Sequence, residues 1–205
     1  MTRKLHSILD EIVERNRAQL HKKIEERRIE MDKNDLEHLS LYSILGFSEE
    51  EGLKIDLYQN IGRFLYKYAG ALLEEATVAV LQNTKEGKSI RIPNTISQNP
   101  KKFVIDFFAV SDNKAHEIKW RDASTDGDHV RKEHNKIQCI VKAGMIPVRV
   151  MYYMPNRKQA IRIQKRIIAI YKEYGEAYTD KGAWNYLLDY TGFDLYSYFH
   201  EKLRT

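Results

Sequence analysis

The chain has 205 residues, enough for one domain or for a core with helical additions, and its 34 Lys and Arg against 29 Asp and Glu leave a formal charge of +5. That modest excess permits a polyanionic partner without proving one, and a chain with mean hydropathy of −0.58 and no long apolar run is at odds with a membrane span. A single cysteine, Cys139, rules out an intramolecular disulfide, and no charged segment leading into an apolar one marks a secretory leader, so a cytoplasmic location is expected.

From Leu5 to about Ile29, the residues Leu5, Ile8, Leu9, Ile12, Val13, Leu20 and Ile24 recur at helical spacing among charges of both signs. This predicts a long solvated helix, packed on the molecule or reaching a second subunit. Residues 35–45 predict a short second helix stopped by Gly46. Ser48, with Glu51 three residues on, has the form of a capping box that opens another turn or two. A longer helix is predicted from about Asp56 to Gln82. Its stripe of Ile61, Phe64, Leu65, Tyr68, Leu72, Ala76 and Ala79 includes Glu75 and turns Glu74 away. A carboxylate on a buried face needs a partner, so Glu75 reads either as an ion-paired edge residue or as an acid aimed at a site.

Lys88–Ile92 predicts a strand ended by Pro93, and residues 94–102 a loop able to reach a groove. Phe103 to Trp120 then has the pattern of a hairpin: Phe-Val-Ile-Asp-Phe-Phe-Ala-Val, a polar break Ser-Asp-Asn-Lys, and Ala-His-Glu-Ile-Lys-Trp. A two-residue turn at Asp112 and Asn113 would pair Phe108 with Glu117 and Asp106 with Lys119. Asp106, Glu117 and Lys119 then share one face, and Phe103, Ile105, Phe107, Ala109, Ile118 and Trp120 take the other.

Two carboxylates and a lysine inside an apolar strand pair need a reason, because unpaired buried charge costs several kcal/mol. A hard divalent ion such as Mg²⁺ supplies one: Asp106, Glu117 and the carbonyl of Ile118 offer it oxygen ligands. Lys119 is then placed to orient and deprotonate an attacking water, an arrangement suited to phosphodiester cleavage. Taken as a string alone, Asp followed by Glu-x-Lys is weak and more often marks a surface ion pair. The apolar surroundings of Asp106 favour the catalytic reading.

The trio of Asp106, Glu117 and Lys119 resembles the PD-(D/E)XK nuclease superfamily. Glu-Ile-Lys-Trp-Arg-Asp-Ala-Ser-Thr-Asp-Gly-Asp-His at 117–129, running on to Lys132-Glu133-His134, is similar to ApaLI-like type II restriction endonucleases. The likeness is sharpest from about Gly62 to Tyr153. Ile105 stands where the superfamily commonly has proline, a departure that touches no ligand. The resemblance implies a Mg²⁺-dependent, site-specific DNA endonuclease acting as a homodimer, with GTGCAC as the first site to test. It also implies an acid from the helix before the sheet, for which Glu75 is the candidate.

Beyond Trp120, Asp126 and Asp128 read as caps of a helix over residues 128–143, in preference to metal ligands. On that helix Val130, His134, Ile137 and Val141 share a face, His134 being a hydrogen-bonded core residue or, by its family-like placement, an active-site one. Arg121, His129, Arg131 and Lys132 gather near the strand-to-helix turn, where they form a DNA-contacting group or a solvated loop. Ile146–Tyr153 is the next strand, reached through a crossover helix. Helix 156–174 sets Arg157, Lys158, Arg162, Lys165, Arg166 and Lys172 opposite Ile163, Ile167, Ile170 and Tyr174. Last, Trp184, Tyr186, Tyr190, Phe193, Tyr196, Tyr198 and Phe199 predict helices docked on the core or on a second subunit.

The expected fold is therefore α/β: a restriction-endonuclease-like core with a mixed central sheet flanked by helices, and helical additions at both ends. One endonuclease domain is expected over 1–205, with a helical region at 1–54, an α-β-β-β-α-β core at 55–154 and C-terminal helices at 155–205. Two other functions fit the same residues. One is a structure-specific repair or recombination nuclease, and the other a non-catalytic DNA-binding protein.

Overall fold

The computed structural model describes residues 2–31, 36–121, 126 and 128–203. The chain divides into two compact units, His6–Leu72 and Met1–Leu5 with Leu73–Thr205. Element order is α1 (Thr2–Met31), α2 (Leu39–Ile44), α3 (Glu49–Thr84), β1 (Gly87–Pro93), β2 (Lys102–Ala109), β3 (Lys114–Lys119), α4 (Asp128–Lys142), β4 (Ile146–Met151), α5 (Lys158–Tyr174), β5 (Glu176–Thr179), α6 (Lys181–Thr191) and α7 (Leu195–Lys202).

The unit His6–Leu72 is helical. The capping box forms as its residues dictate: Ser48 N donates to Glu51 Oε2 at 2.8 Å, and Glu51 N donates to Ser48 Oγ at 3.2 Å. It opens one helix of 36 residues instead of two, because no proline interrupts the run that follows. Asp56 ties α2 to α3 by accepting from Tyr42 Oη at 3.0 Å, with His38 Nε2 at 2.7 Å from its other oxygen. Gly52 leaves room for this contact, since a Cβ there would meet Tyr42 and Leu39 at 2.8 and 2.9 Å.

The larger unit is built on a five-stranded sheet in the order β1-β2-β3-β4-β5. The first two pairings are antiparallel and the last two parallel, so the sheet is mixed as expected, with β5 as an added edge strand. The hairpin departs from its predicted register. Observed pairs are Phe107–His116, Phe108–Ala115 and Ala109–Lys114, so the connection is four residues, Val110 to Asn113, and only Asn113 takes a positive φ, 55°. Asp112 is used outward, its carboxylate accepting from Tyr190 Oη of α6 at 2.8 and 3.0 Å.

A second departure lies in β2 itself. Lys88 pairs with Phe108 but Ile90 pairs with Ile105, so β2 holds one extra residue opposite Ser89, at Asp106–Phe107. Ser89 Oγ meets the disturbed backbone by donating to the Ile105 carbonyl at 2.9 Å. This bulge reverses the facing of the residues before it. Phe103 and Ile105, predicted to lie with Phe107, instead join Phe108, Ala115 and the α4 residues Cys139 and Ile140 in one cluster. Phe107 packs on the opposite side, near His116, whose Nε2 bonds Tyr186 Oη of α6 at 2.8 Å.

The buried face of α4 is also turned from the predicted one. Glu133, Lys136, Ile137, Cys139 and Ile140 are buried, while Val141 is exposed and His134 is half-buried beside Gln138 and Tyr174. An apolar-only stripe misses this because two of the inward residues are charged and meet partners inside. On α5, Ala160, Ile163, Gln164, Ile167 and Tyr171 are buried, and the six basic side chains at 157, 158, 162, 165, 166 and 172 are exposed.

Candidate active site

The ladder between β2 and β3 ends at Phe107–His116, just where the bulge begins. Asp106 takes over the next bond with its side chain, Oδ2 accepting from Ile118 N at 2.7 Å. The predicted Asp106–Lys119 pairing is thus replaced by a carboxylate laid against the Glu117–Ile118 peptide. Asp106 nevertheless shares a site with Glu117 and Lys119. Burial and then the charge of Glu117 push its carboxyl up to about 7, against the pull of Lys119.

Glu117 is 4% exposed and carries an ammonium on each oxygen. Lys119 Nζ lies 2.5 Å from Oε1, and Lys136 of α4 contacts Oε2. Burial opposes the charged carboxylate, but Lys136 and Lys119 overcome it and hold the group at about 2. The same balance raises Lys119: burial opposes its charge and the attraction of Glu117 and Asp106 prevails. Lys119 is therefore held as an ammonium in this state.

Of the two neighbouring α3 acids, Glu74 is exposed and Glu75 half-buried, and Glu74 is the one whose charge bears on Asp106. The Glu74 carboxyl is raised by desolvation and by Glu117 and lowered by Lys119 and Lys136. Glu75 was preferred in the sequence on a stripe drawn from Ile61 to Ala79. Within the sheet-bearing unit the buried residues of α3 are Leu73, Ala76, Thr77, Val80 and Leu81, whereas Leu65 of the predicted stripe is exposed. At about 100° per residue, Glu74 lies roughly 90° from the centre of that observed stripe and Glu75 roughly 170°.

Behind the trio runs a second buried layer. Arg149, 0% exposed on β4, stands beside Glu117 in the parallel ladder, with Nη1 3.2 Å from Glu133 Oε2 and Nη2 donating to Gln164 Oε1 at 2.8 Å. Tyr171 Oη donates to the same Glu133 oxygen at 3.3 Å. Lys136, Glu133 and Arg149 went unread in the sequence, where a charged residue on a helix or strand is most often solvated. The one available signal was Arg149 in the middle of the apolar run Ile-Pro-Val-Arg-Val-Met.

His129, Arg131 and Lys132 lie in the first turns of α4 and Arg121 just beyond β3, and Arg131 and Lys132 both engage Asp128. Arg131 Nε donates to Asp128 Oδ1 at 2.7 Å, and Lys132 Nζ is 3.2 Å from Asp128 Oδ2. Asp126 behaves as a cap, Oδ1 accepting from Asp128 N at 2.9 Å, while Asp128 serves those two cations. Residues 122–125 and 127 of this segment lie outside the described residues.

Among the described residues, no three His, Cys, Asp or Glu side chains cluster as a metal centre. The donor chemistry still suits a hard ion of the magnesium type, which takes one or two carboxylates and fills the rest of its shell with water and substrate oxygen. Asp106, a partly buried acid whose proton affinity is raised by burial and by the charge of Glu117, is the setting in which such an ion relieves repulsion.

A mixed sheet with two acids and a lysine gathered around β2 and β3 is compatible with the restriction-endonuclease-like class of α/β fold. The chain belongs to the ApaLI-like restriction endonuclease family, whose model matches residues 1–204. Membership implies site-specific cleavage of DNA. Comparison with curated proteins and with solved structures gave no match. No helix among the described residues is long and apolar enough to cross a membrane.

Proposed function

We propose that the protein is a Mg²⁺-dependent type II endonuclease whose catalytic group is Asp106, Glu117 and Lys119, supported by Glu74 in place of Glu75. The observation that carries this reading is the meeting of these four charges at the point where β2 bulges away from β3. Asp106 and Glu117, with the Ile118 carbonyl, would hold the ion, which supplies charge neutralisation and polarises the scissile phosphodiester.

The remaining steps belong to the chain's own side chains. The Asp106 hydrogen bond to Ile118 N fixes the peptide between the two active strand residues, so the carbonyl and both acids keep one geometry. Lys119, as an ammonium, donates to a phosphate oxygen or to the attacking water and stabilises the charge that develops on phosphorus. Glu74, which is exposed and whose charge bears on Asp106, adds negative charge that favours cation entry.

A two-fold dimer would suit a palindromic target, each subunit cutting one strand. GTGCAC is the first target by family resemblance. Incubating DNA of known sequence with the protein and Mg²⁺, then mapping the ends, is expected to give double-strand cuts at one short site. Lys119→Ala is expected to abolish cutting while DNA binding survives. Cuts at random positions, or at branched junctions regardless of sequence, overturn the site-specific reading.

A further inference from the structure

We infer that Lys136 is a positioning residue, a fixed counter-charge that grips one oxygen of Glu117 and thereby sets how tightly the site holds a divalent ion. The inference rests on the metal-site reading of Asp106 and Glu117 given above and goes beyond it, to a residue outside the motif.

The two lysines on Glu117 are not equivalent. Lys119 bonds Oε1 from the same strand as Glu117, and its charge also acts on Asp106, so it serves both acids. Lys136 reaches Oε2 from the other element, α4. It is 8% exposed, and its neighbours along the helix are the buried Ile137 and Ile140, so its ammonium has little route to water. Its backbone is held as well: Glu133, one turn earlier, is fixed by Arg149 and Tyr171. A buried ammonium with one partner on a held helix is a built contact, unlike a lysine swept against a carboxylate at the surface.

The consequence is a division of labour on one carboxylate. Oε1 would be the oxygen that Glu117 offers to a divalent ion, with Lys119 then turned toward the DNA phosphate. Lys136 stays on Oε2, holding Glu117 anionic and in one rotamer. Its positive charge also repels the ion, so occupancy in the absence of DNA is kept weak.

The test is Mn²⁺ binding to the full-length protein without DNA, read from the electron paramagnetic resonance signal of the free ion, which the bound ion loses. Lys136→Gln keeps a hydrogen-bond donor and removes the charge. It is expected to tighten Mn²⁺ binding by about tenfold or more, because a like charge a few ångströms from the ion is gone, and to slow cleavage all the same. Lys136→Arg, which keeps the charge, is expected to bind Mn²⁺ as the wild type does. An unchanged or weakened dissociation constant in Lys136→Gln overturns the inference. If that variant is unfolded on its own, Lys136→Met, which keeps the apolar stem and also lacks the charge, carries the same expectation and the same overturning result. Wild-type binding that Asp106→Asn leaves untouched is a different result: it removes the metal-site reading itself, and this inference with it.

Discussion

Asp106 was legible because it interrupts an apolar strand, and Glu117 and Lys119 because they take alternate positions on the next one. Lys136 was hidden for the opposite reason: a lysine among Glu, His and Asn on a helix looks solvated until the helix is docked. The choice between Glu74 and Glu75 turns on a smaller matter, a stripe drawn from Ile61 to Ala79 of which only the part from Leu73 onward belongs to the sheet-bearing unit. It leaves a direct prediction. Glu74→Gln is expected to lower kcat by about tenfold or more, and Glu75→Gln by less than about threefold, in single-turnover cleavage of the same duplex. Equal losses in both variants would return the choice to where the sequence left it.

At the scale of elements, strands and helices were found by period, and the errors sit where period carries no information. Nothing in Phe103–Ala109 marks an extra residue, since the bulge uses no glycine and burial still alternates through it. The register error arose in the same way, because Ser-Asp-Asn-Lys suits a tight turn or a wider one. The edge strand β5 was missed for its length of four residues. The tie among α4, β4 and α5 was invisible because it is ionic: Arg149 couples Glu133 to Gln164 with no exposure at all. Arg149→Met is expected to destabilise the fold by about 3–5 kcal/mol in urea unfolding, since it strands Glu133 as an unpaired buried charge. Adding Glu133→Gln is expected to recover most of that loss. Additive losses in the double variant would mean that the two residues do not act as a pair.

For the molecule as a whole, composition and charge gave only permission. Alternation between helical and strand patterns was enough to foresee a mixed sheet flanked by helices, while the division at His6–Leu72 left no compositional mark, because helix α3 runs across it without a break. The charge of +5 acquires meaning from its distribution: six basic side chains of α5 face outward. If that face neutralises phosphates, replacing Arg162, Lys165 and Arg166 with Gln flattens the plot of log binding constant against log salt by about two or more, with no change in the preferred site. An unchanged slope would assign the face to solvation alone.

The one-residue excess in β2 makes this strand mutationally indivisible. The kink that swings Asp106 onto the Ile118 amide is also what sends Phe103 and Ile105 to the α4 side while Phe107 goes to the other. A deletion that straightened the strand would disarm the hydrolase and invert the lining of two hydrophobic layers in the same stroke. Drift toward an inert but well-folded descendant must therefore proceed by exchanging side chains, never by shortening the thread that carries them.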